Sequence, residues 1–476
     1  MEKVSLSNSR VFLWLSHLEP VKRSPTMKKI DRSRFKELIA KEQRQFVKEH
    51  PKSEALYERA KPVLLCGVPM NWMSLWAGEF PIFVKEARGA KIYDVDGHEY
   101  TDFCLGDTGA MFGHSPKAIV DAVTKQVRKG ITMMLPTEDS IWVGEELKRR
   151  FKLPQWQIVM TATDANRYAI RLAREATKRT KILCINGCYH GTVDETIATL
   201  DKNGKVIPRP GNKGAPVPPS MTTKVVEFND VPAVEEALKP RDVACFMLEP
   251  AMTNHGLILP DDGYLDAVRR LTRKYGTFLL IDETHTLSCG TGGYTKAFGL
   301  EPDIITMGKP LAGGVPVAAY GISQDVLSGV KKSLQLDDDE MGIGGTLSGN
   351  ALAVAATKAT LQKVFTEENF RKMMPLAERF YDGIDNVIGS NKLPWCVTRL
   401  GVRIEYMFMP KRPRNGSQVD AIEDPDLDQL MHLMAINRGI LLTPFHMMAL
   451  ISPSTTRKDV DRHTEVFRES VDELLR

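Results

Sequence analysis

Residues 278–286 read Phe-Leu-Leu-Ile-Asp-Glu-Thr-His-Thr, an apolar run that ends in two adjacent carboxylates. Such a run is typical of a strand buried on both faces of a sheet, with polar groups only at its carboxyl end. A buried carboxylate such as Asp282 needs a partner, and a protonated ring nitrogen of a ligand is one candidate. Ligands of open parallel sheets bind beyond the carboxyl ends of the strands. The segment therefore indicates both a fold class and the place of a site.

Similar apolar runs occur on both sides of this segment and alternate with helical or loop segments. They lie at residues 157–161, 181–186, 224–228, 243–248, 304–307 and 318–322. This alternation predicts an α/β fold in which a mainly parallel central sheet is covered by helices on both faces.

Both ends of the chain are expected to form a smaller α+β domain. A helix is predicted from Ser33, and short strand-like pieces follow, with a hairpin turn at Asp96-Gly97. Near the C-terminus, 402–408 and 440–443 indicate strands, while 351–365 and 458–475 indicate helices. The predicted division is an N-terminal arm with part of the small domain in 1–110, a large domain in 111–350, and the rest of the small domain in 351–476. Met27 offers an alternative start to the chain.

Composition excludes several classes of protein. The 476 residues are 42% hydrophobic and 26% charged, with a net charge of +4, so wholesale disorder and a default nucleic-acid partner are both excluded. No apolar stretch approaches the ~18 residues that cross a bilayer. Several of the seven cysteines lie in apolar runs, which predicts reduced thiols in a cytoplasmic protein without a membrane partner. Cys184 and Cys188 have no second cysteine pair nearby, and no metal site is predicted.

Three other predicted strand ends carry groups that complement Asp282. The segment Thr161-Ala-Thr-Asp-Ala-Asn166 begins a helix with Thr163 as its predicted N-cap, and the free amides of the first turn form an anion site. Lys309 ends a buried strand among glycines, where a lysine tends to lose its proton and become a nucleophile. Tyr189 could stack on a flat cofactor. These are the parts that pyridoxal phosphate needs.

Here the chain resembles the fold-type-I, class-III aminotransferases, and within them the group of glutamate-1-semialdehyde aminomutases and β-amino acid aminotransferases. The most specific motifs are Asp282-Glu-Thr-His-Thr286, Lys309 after it, and Gly345-Thr-Leu-Ser-Gly-Asn350. The similarity runs from about Gly67 to the C-terminus. It implies a large domain that binds pyridoxal 5'-phosphate and a smaller domain from both chain ends.

The resemblance also implies roles for individual residues. Lys309 would attach the cofactor covalently and then move the proton between substrate and cofactor, and Asp282 would keep the pyridine nitrogen protonated. The other implied cofactor contacts are Ala162 and Thr163 at the phosphate, Tyr189 on the ring face, Glu249 near the ring, His285 on its hydroxyl side, and Thr346. Thr346 would reach the phosphate of a neighbouring subunit, which implies a homodimer.

The substrate side departs from the group. Residues 71–76 and 443–447 lack the arginines of the β-amino acid aminotransferases, and Thr108 lies in the segment where the aminomutases carry a tryptophan. A carboxylate without a bidentate partner is poorly held in a dry pocket. The predicted substrate residues are Trp72, Trp76, Thr108 and Phe445, and Arg399 and Arg403 are candidates for binding a keto acid.

The resulting prediction is an aminotransferase that takes an amino group from an amine or ω-amino donor and passes it to a keto acid such as pyruvate. Two alternatives keep the family but change the reaction: a β-amino acid aminotransferase, or an aminomutase or epimerase that returns the amine to the same molecule. A degenerate fold that serves only as a binding domain is a third alternative. A dinucleotide-binding protein is disfavoured because no Gly-x-Gly-x-x-Gly follows a strand.

Overall fold

The computed structural model describes residues 31–331, 341–422 and 424–476, so the question of a start at Met27 lies outside the described residues. In chain order the strands of this part are β1 (Val84–Arg88), β2 (Lys91–Asp94), β3 (Glu99–Asp102), β4 (Gln155–Val159), β5 (Lys181–Ile185), β6 (Ala198–Leu200), β7 (Val206–Pro208), β8 (Thr223–Val226), β9 (Val243–Leu248), β10 (Phe278–Asp282), β11 (Ile304–Met307), β12 (Ala318–Ile322), β13 (Cys396–Leu400), β14 (Arg403–Met407), β15 (Ile440–Leu441) and β16 (Met448–Leu450).

The helices of the same ranges lie before, between and after these strands. They are α1 (Phe35–Glu49), α2 (Pro51–Ala60), α3 (Lys117–Val127), α4 (Glu138–Phe151), α5 (Ala162–Thr177), α6 (Val231–Leu238), α7 (Tyr264–Tyr275), α8 (Gly293–Ala297), α9 (Gln324–Val330), α10 (Ala351–Ala359), α11 (Glu367–Ser390), α12 (Gly416–Asp420), α13 (Pro425–Ile436) and α14 (Arg457–Leu475). A π-helical turn, Thr360–Val364, extends α10. None of these helices is long and apolar enough to cross a membrane.

The largest sheet has seven strands in the order β4-β12-β11-β10-β9-β5-β8. Neighbouring strands are parallel except at β12, which runs antiparallel to both β11 and β4. The prediction of a mainly parallel sheet is therefore confirmed, with one reversed strand. The connection between Met307 and Ala318 is too short for the crossover that a parallel return requires.

The burial of β9 and β10 matches their central place in the seven-stranded sheet. All six residues of β9 are buried, as are the last four of β10, because helices cover both faces of the sheet. Helix α5 packs on the sheet through small residues such as Ala165, Ala169 and Ala173, which allow a close approach. Asp282, the last residue of β10, is therefore buried at the carboxyl end of the central strand.

Two smaller sheets contain strands from the ends of the chain. One has the order β1-β2-β3-β15, and β15 pairs in parallel with β3, so segments more than 300 residues apart share a sheet. The other has the order β13-β14-β16. This arrangement agrees with a small lobe built from both ends, while the predicted boundaries at residues 110 and 350 remain predictions.

The turn between β13 and β14 packs tightly against the segment that follows β10. Gly401 has a φ of +61°, and a Cβ there would lie 2.2 Å from the carbonyl oxygen of Ser288. Only glycine fits this contact without displacement of the backbone. The close approach brings Arg403, the first residue of β14, up to the carboxyl end of β10.

Candidate active site

Four strand ends converge at one edge of the seven-stranded sheet. Helix α5 follows β4, Tyr189 follows β5, Asp282 ends β10, and Lys309 follows β11. Two glycines permit the convergence: a Cβ on Gly191 would lie 2.2 Å from Thr163 Oγ1, and one on Gly308 would lie 3.0 Å from the Cβ of Ala162. The structure therefore brings Ala162, Thr163, Tyr189, Asp282 and Lys309 together.

The prediction that Thr163 caps α5 is wrong. The N-cap is Thr161, whose backbone is extended and whose Oγ1 accepts a hydrogen bond from the Asp164 amide at 3.2 Å. Thr163 lies inside the first turn, and its Oγ1 accepts from the Thr192 amide at 3.1 Å. With Thr161 as the N-cap, the first amides of the helix are those of Ala162 and Thr163, and the anion site expected there remains a prediction.

Asp282 is a buried carboxylate with several donors. Its Oδ2 accepts hydrogen bonds from His190 Nδ1 at 2.9 Å and Asn166 Nδ2 at 3.1 Å, and its Oδ1 accepts from the Thr284 amide at 3.0 Å. Burial alone would raise the pKa of Asp282, but the hydrogen bonds and the charge of His190 outweigh it and lower that pKa to about 2. The group is therefore anionic at neutral pH.

Glu249 lies close to this carboxylate, and Thr253 Oγ1 and Asn254 Nδ2 both donate to it. Burial raises the pKa of Glu249 to about 7, and the charge of Asp282 adds to the effect. The two neighbouring acids thus titrate in different ranges of pH. Between about pH 2 and pH 7, Glu249 is protonated while Asp282 is ionised.

Lys309 lies in a network of charged and polar groups. Its Nζ is 2.6 Å from His285 Nε2 and 3.2 Å from Asp107 Oδ2. On the other side of the ring, His285 Nδ1 is 2.8 Å from Thr108 Oγ1. Lys309 and Asp107 both have a positive φ, 43° and 45°, and Thr108, a β-branched residue, has one of 91°. Such strained backbone is concentrated at functional sites of proteins.

Arg403 is fully buried beside this network. Its Nη1 donates to His285 Nδ1 at 2.9 Å, its Nη2 donates to the Thr253 carbonyl at 3.2 Å, and Nη2 forms an ion pair with Asp107 Oδ1 at 3.7 Å. Arg399, the other arginine considered for a keto acid, lies half-buried on β13 instead.

A cavity of about 830 Å³ opens beside Tyr189. The Trp72 ring lies 5.1 Å from that of Tyr189 and 5.7 Å from that of Phe445, measured between centroids, and the three rings form an aromatic wall. Arg209, on the same cavity, donates to the Cys188 carbonyl at 2.6 Å. The predicted substrate residues Trp72 and Phe445 are thus placed together.

The other two predicted substrate residues lie elsewhere. Trp76 packs with Phe46, Phe80 and Tyr100 in a separate apolar cluster, and it is not part of the cavity wall. Trp76 follows the short helical turn at Asn71–Ser74, and its ring packs toward Phe46 of α1. Thr108 is buried under His285 and contacts the network of Lys309 rather than the cavity.

Thr346 lies on an exposed loop before α10. Within the described residues of one chain, no hydrogen bond joins this side chain to Lys309 or Asp282. The role predicted for Thr346, across a subunit interface, therefore remains a prediction.

A second buried acid, Glu405, lines the cavity next to His446, whose Nδ1 lies 3.6 Å from Glu405 Oε1. Burial raises the pKa of Glu405 to about 8, with further contributions from Asp428 and Asp107. In the unfolded chain Glu405 loses its proton near its ordinary pKa of 4.5, whereas in the folded chain it keeps the proton up to about pH 8. Glu405 therefore favours folding most at low pH. The contribution is lost as pH rises toward 8.

We therefore expect Glu405→Gln, which carries no titrating proton, to gain stability relative to the original chain as pH rises from 5 to 9. The difference should reach about 2–4 kcal/mol by the linkage between pKa and folding free energy. Urea unfolding at pH 5, 7 and 9 measures it. Glu465→Gln, at an exposed position of α14, is the matched control. A difference between Glu405→Gln and the original chain that does not change with pH would contradict the expectation.

Sequence reasoning missed three members of the site. Asp107 directly precedes Thr108 in the segment Gly106-Asp-Thr-Gly109. A single carboxylate in a glycine-flanked loop was the available signal. His190 directly follows Tyr189, and no local pattern distinguishes it from a structural histidine. Glu405 lies in a strand that is buried over four of its five residues, and the need of a buried carboxylate for a partner was the available signal.

One group of potential metal ligands lies away from this site. Atoms of His50, Asp94 and His98 lie within 4.8 Å of one another. Asp94 Oδ2 already accepts hydrogen bonds from His98 at 2.9 Å and from the Tyr100 hydroxyl at 3.0 Å. The group is explained by these bonds within the protein.

Comparison with known proteins identifies the family. The model of the class-III aminotransferases matches residues 72–470. A glutamate-1-semialdehyde 2,1-aminomutase from Sorangium cellulosum is 32% identical over 429 residues, which cover 88% of this chain and 96% of the relative.

Solved structures agree with this match. A glutamate-1-semialdehyde-aminomutase from Pseudomonas aeruginosa PAO1 is 45% identical, with a TM-score of 0.91, over 94% of this chain and 100% of that one. An omega-transaminase from Sphaerobacter thermophilus is 27% identical, with a TM-score of 0.80, over 89% and 97%. The predicted fold-type-I architecture is confirmed. The chain belongs to the class-III aminotransferase family, and its cofactor is pyridoxal phosphate.

Proposed function

We propose that this protein is an aminomutase, which moves an amino group between two carbon atoms of one small substrate. The observation that carries the proposal is the 45% identity to the Pseudomonas aminomutase, which extends over the whole of that chain. The curated relatives of 30–33% identity bear the same name. These names favour the aminomutase alternative over the predicted transfer to pyruvate.

The residues present fit pyridoxal phosphate. The start of α5 offers free amides for the phosphate, and Gly191 allows the loop after β5 to pass directly against Thr163, where a Cβ would clash. Asp282, anionic and buried, would hold a protonated ring nitrogen. Tyr189 would lie against the ring, with Glu249 and His285 around its edge. When bound, this cofactor withdraws electrons from the substrate carbon that carries the amine.

The chain's own groups then account for the proton transfers. Lys309 Nζ would take a proton from one substrate carbon and return it to the other, as a general base and then a general acid. His285 and Asp107, in contact with this nitrogen, would orient it. The aromatic wall of Trp72, Tyr189 and Phe445 would contact the substrate in the cavity beside Tyr189.

The experiment is product formation without an acceptor. Purified protein loaded with pyridoxal phosphate is incubated with glutamate-1-semialdehyde alone, and the isomer with its amino group moved from C2 to C1 is measured. We expect turnover without any keto acid. A strict requirement for pyruvate or another keto acid would overturn the proposal.

A second function is favoured by one specific observation. One part of the cavity wall is aromatic, and residues 71–76 and 443–447 contain no arginine, while Arg209 on the same wall is bonded to the Cys188 carbonyl. These features suit an amine or ω-amino donor, and transfer to an external keto acid is the runner-up. Turnover of such donors with pyruvate, combined with inactivity on glutamate-1-semialdehyde, would establish it in place of the aminomutase.

We also propose that the working enzyme is a homodimer in which Thr346 completes the phosphate site of the other subunit. Large apolar residues near this loop are exposed in the single chain: Ile131, Met133, Met134, Leu135 and Leu347. An exposed apolar group of this kind indicates a contact surface.

Mixed dimers test this arrangement. Thr346→Val and Lys309→Ala chains should each be impaired alone, whereas a mixture should regain activity, because one site of a mixed dimer has its own Lys309 and an intact Thr346 from the partner. Failure of the mixture to regain activity, although the chains exchange, would exclude the arrangement.

A further inference from the structure

We infer that Arg403 is a positioning residue that keeps Lys309 in its reactive, unprotonated form, through a hydrogen bond to Nδ1 of His285. The inference concerns the state of the lysine before and between its reactions. It holds for either reaction of the family, so it does not rest on the choice between aminomutase and aminotransferase.

The first step is the direction of one hydrogen bond. A guanidinium group only donates hydrogen bonds. Because Arg403 Nη1 points a hydrogen at His285 Nδ1 over 2.9 Å, that ring nitrogen must be the acceptor and carries no hydrogen. Thr108 Oγ1, 2.8 Å from Nδ1, can adapt its hydroxyl to either role. Arg403 therefore decides the tautomer.

The second step is the charge of the ring. Because Nδ1 accepts from Arg403 and carries no hydrogen, the ring cannot be the doubly protonated imidazolium. Burial of the ring, which lowers the pKa of His285, acts in the same direction. The ring is therefore neutral and carries one hydrogen. With Nδ1 acting as an acceptor, that hydrogen must be on Nε2.

The third step transfers this constraint to the lysine. His285 Nε2 lies 2.6 Å from Lys309 Nζ. Since Nε2 donates, Nζ must accept, and only a neutral amine has a lone pair with which to do so. A remaining hydrogen of the amine can still be donated to Asp107 Oδ2 at 3.2 Å. A neutral amine is the nucleophilic form of lysine.

The surrounding charges are consistent with this state. Asp107 alone would favour an ammonium group, but its other oxygen is 3.7 Å from Arg403 Nη2, which offsets its charge. Asp282, at the end of β10, would raise the pKa of His285, but burial of the ring outweighs this effect. His446 lies near Asp107, in the loop before β16. Arg403 therefore has two effects, since it sets the tautomer of His285 and balances Asp107.

This assignment also explains why Arg403 is fully buried. Its donors are directed to His285, Thr108, Asp107 and the Thr253 carbonyl, and the side chain does not line the cavity. It is thus engaged by groups of the protein itself.

The test measures capture of pyridoxal phosphate by the full-length chain freed of its cofactor, followed by absorbance from pH 6 to 10. We expect Arg403→Leu to move the midpoint of the rate profile upward by about one pH unit, which is about a tenfold slower capture below the midpoint. The plateau at high pH should be unchanged. Arg403→Lys, which keeps a charged donor, should restore most of the rate.

The matched control is Arg399→Leu, the same substitution on the neighbouring strand β13, which should leave the profile unchanged. An equal loss of rate at every pH in Arg403→Leu, or an unmoved midpoint, would overturn the inference. Histidine nitrogen NMR of the original chain gives a measurement that needs no variant. His285 should show hydrogen on Nε2 only, and hydrogen on Nδ1 would overturn the inference even if Arg403→Leu failed to fold.

Discussion

Lys309→Ala should reduce turnover by about 10³-fold or more, because it removes both the group that attaches the cofactor and the base that moves the proton. The rest of the site would remain, so the variant should fold and still bind cofactor at the start of α5. A lysine-to-alanine variant of the similar Pseudomonas enzyme was crystallised in complex with PMP, which supports this expectation. Steady-state turnover and cofactor content of the purified variant are the measurements.

The control for this change is Lys296→Ala. Lys296 is half-exposed and pairs only loosely with Glu367, at 3.8 Å, so its loss should leave turnover within a factor of about two. Near-normal activity in Lys309→Ala would overturn the assignment of the whole site. Loss of activity that is accompanied by unfolding would show instead that Lys309 is needed for structure.

Asp282→Asn should reduce turnover by about 10²-fold or more. The change leaves His190, whose pKa Cys188 and Asp282 raise well above its ordinary value against the effect of burial, without its counter-charge. Removal of one partner of such a buried pair costs about 3–5 kcal/mol of folding stability. The loss of turnover has a separate cause at the cofactor, and 10²-fold corresponds to roughly 2.7 kcal/mol of transition-state stabilisation. The ring nitrogen of the cofactor would lose its anionic partner at the same time.

Asp303→Asn separates catalysis from stability. Asp303 also forms a buried ion pair, with two hydrogen bonds from Arg269 at 2.6 and 2.9 Å, but it lies before β11 and away from the site. It should lose stability to a similar extent and keep its turnover. If Asp303→Asn and Asp282→Asn lose the same fraction of turnover, the role of Asp282 is structural.

Fully buried strands were the part of the fold that could be predicted most closely. The runs at 243–248, 304–307 and 318–322 have the same bounds in the structure, because burial on both faces leaves a continuous apolar signal. The strand expected at 224–228 is Thr223–Val226 instead. The reversed direction of β12 was not predicted, since a strand's composition does not record its orientation.

For the site, the residues found from the sequence are those that end strands. Lys309 and Asp282 are conspicuous because each interrupts or ends an apolar run. The placement of Trp76 in the cavity was wrong, because a one-dimensional pattern cannot show that the chain turns away after Asn71–Ser74. Asp107 was overlooked because it lies on a loop without regular structure.

By itself, then, the sequence determined the class of fold, the positions of the buried strands along the chain and the type of chemistry at their ends. These depend on local apolar pattern and on residue type, which are present in short segments of the chain. Only the tertiary structure decided the environment of Lys309. Arg403 and Thr108 hydrogen bond at a separation of 295 residues, and their contact with His285 results from how the C-terminal strands pack on the central sheet. Distances and hydrogen-bond directions of this kind exist only once distant segments are packed together.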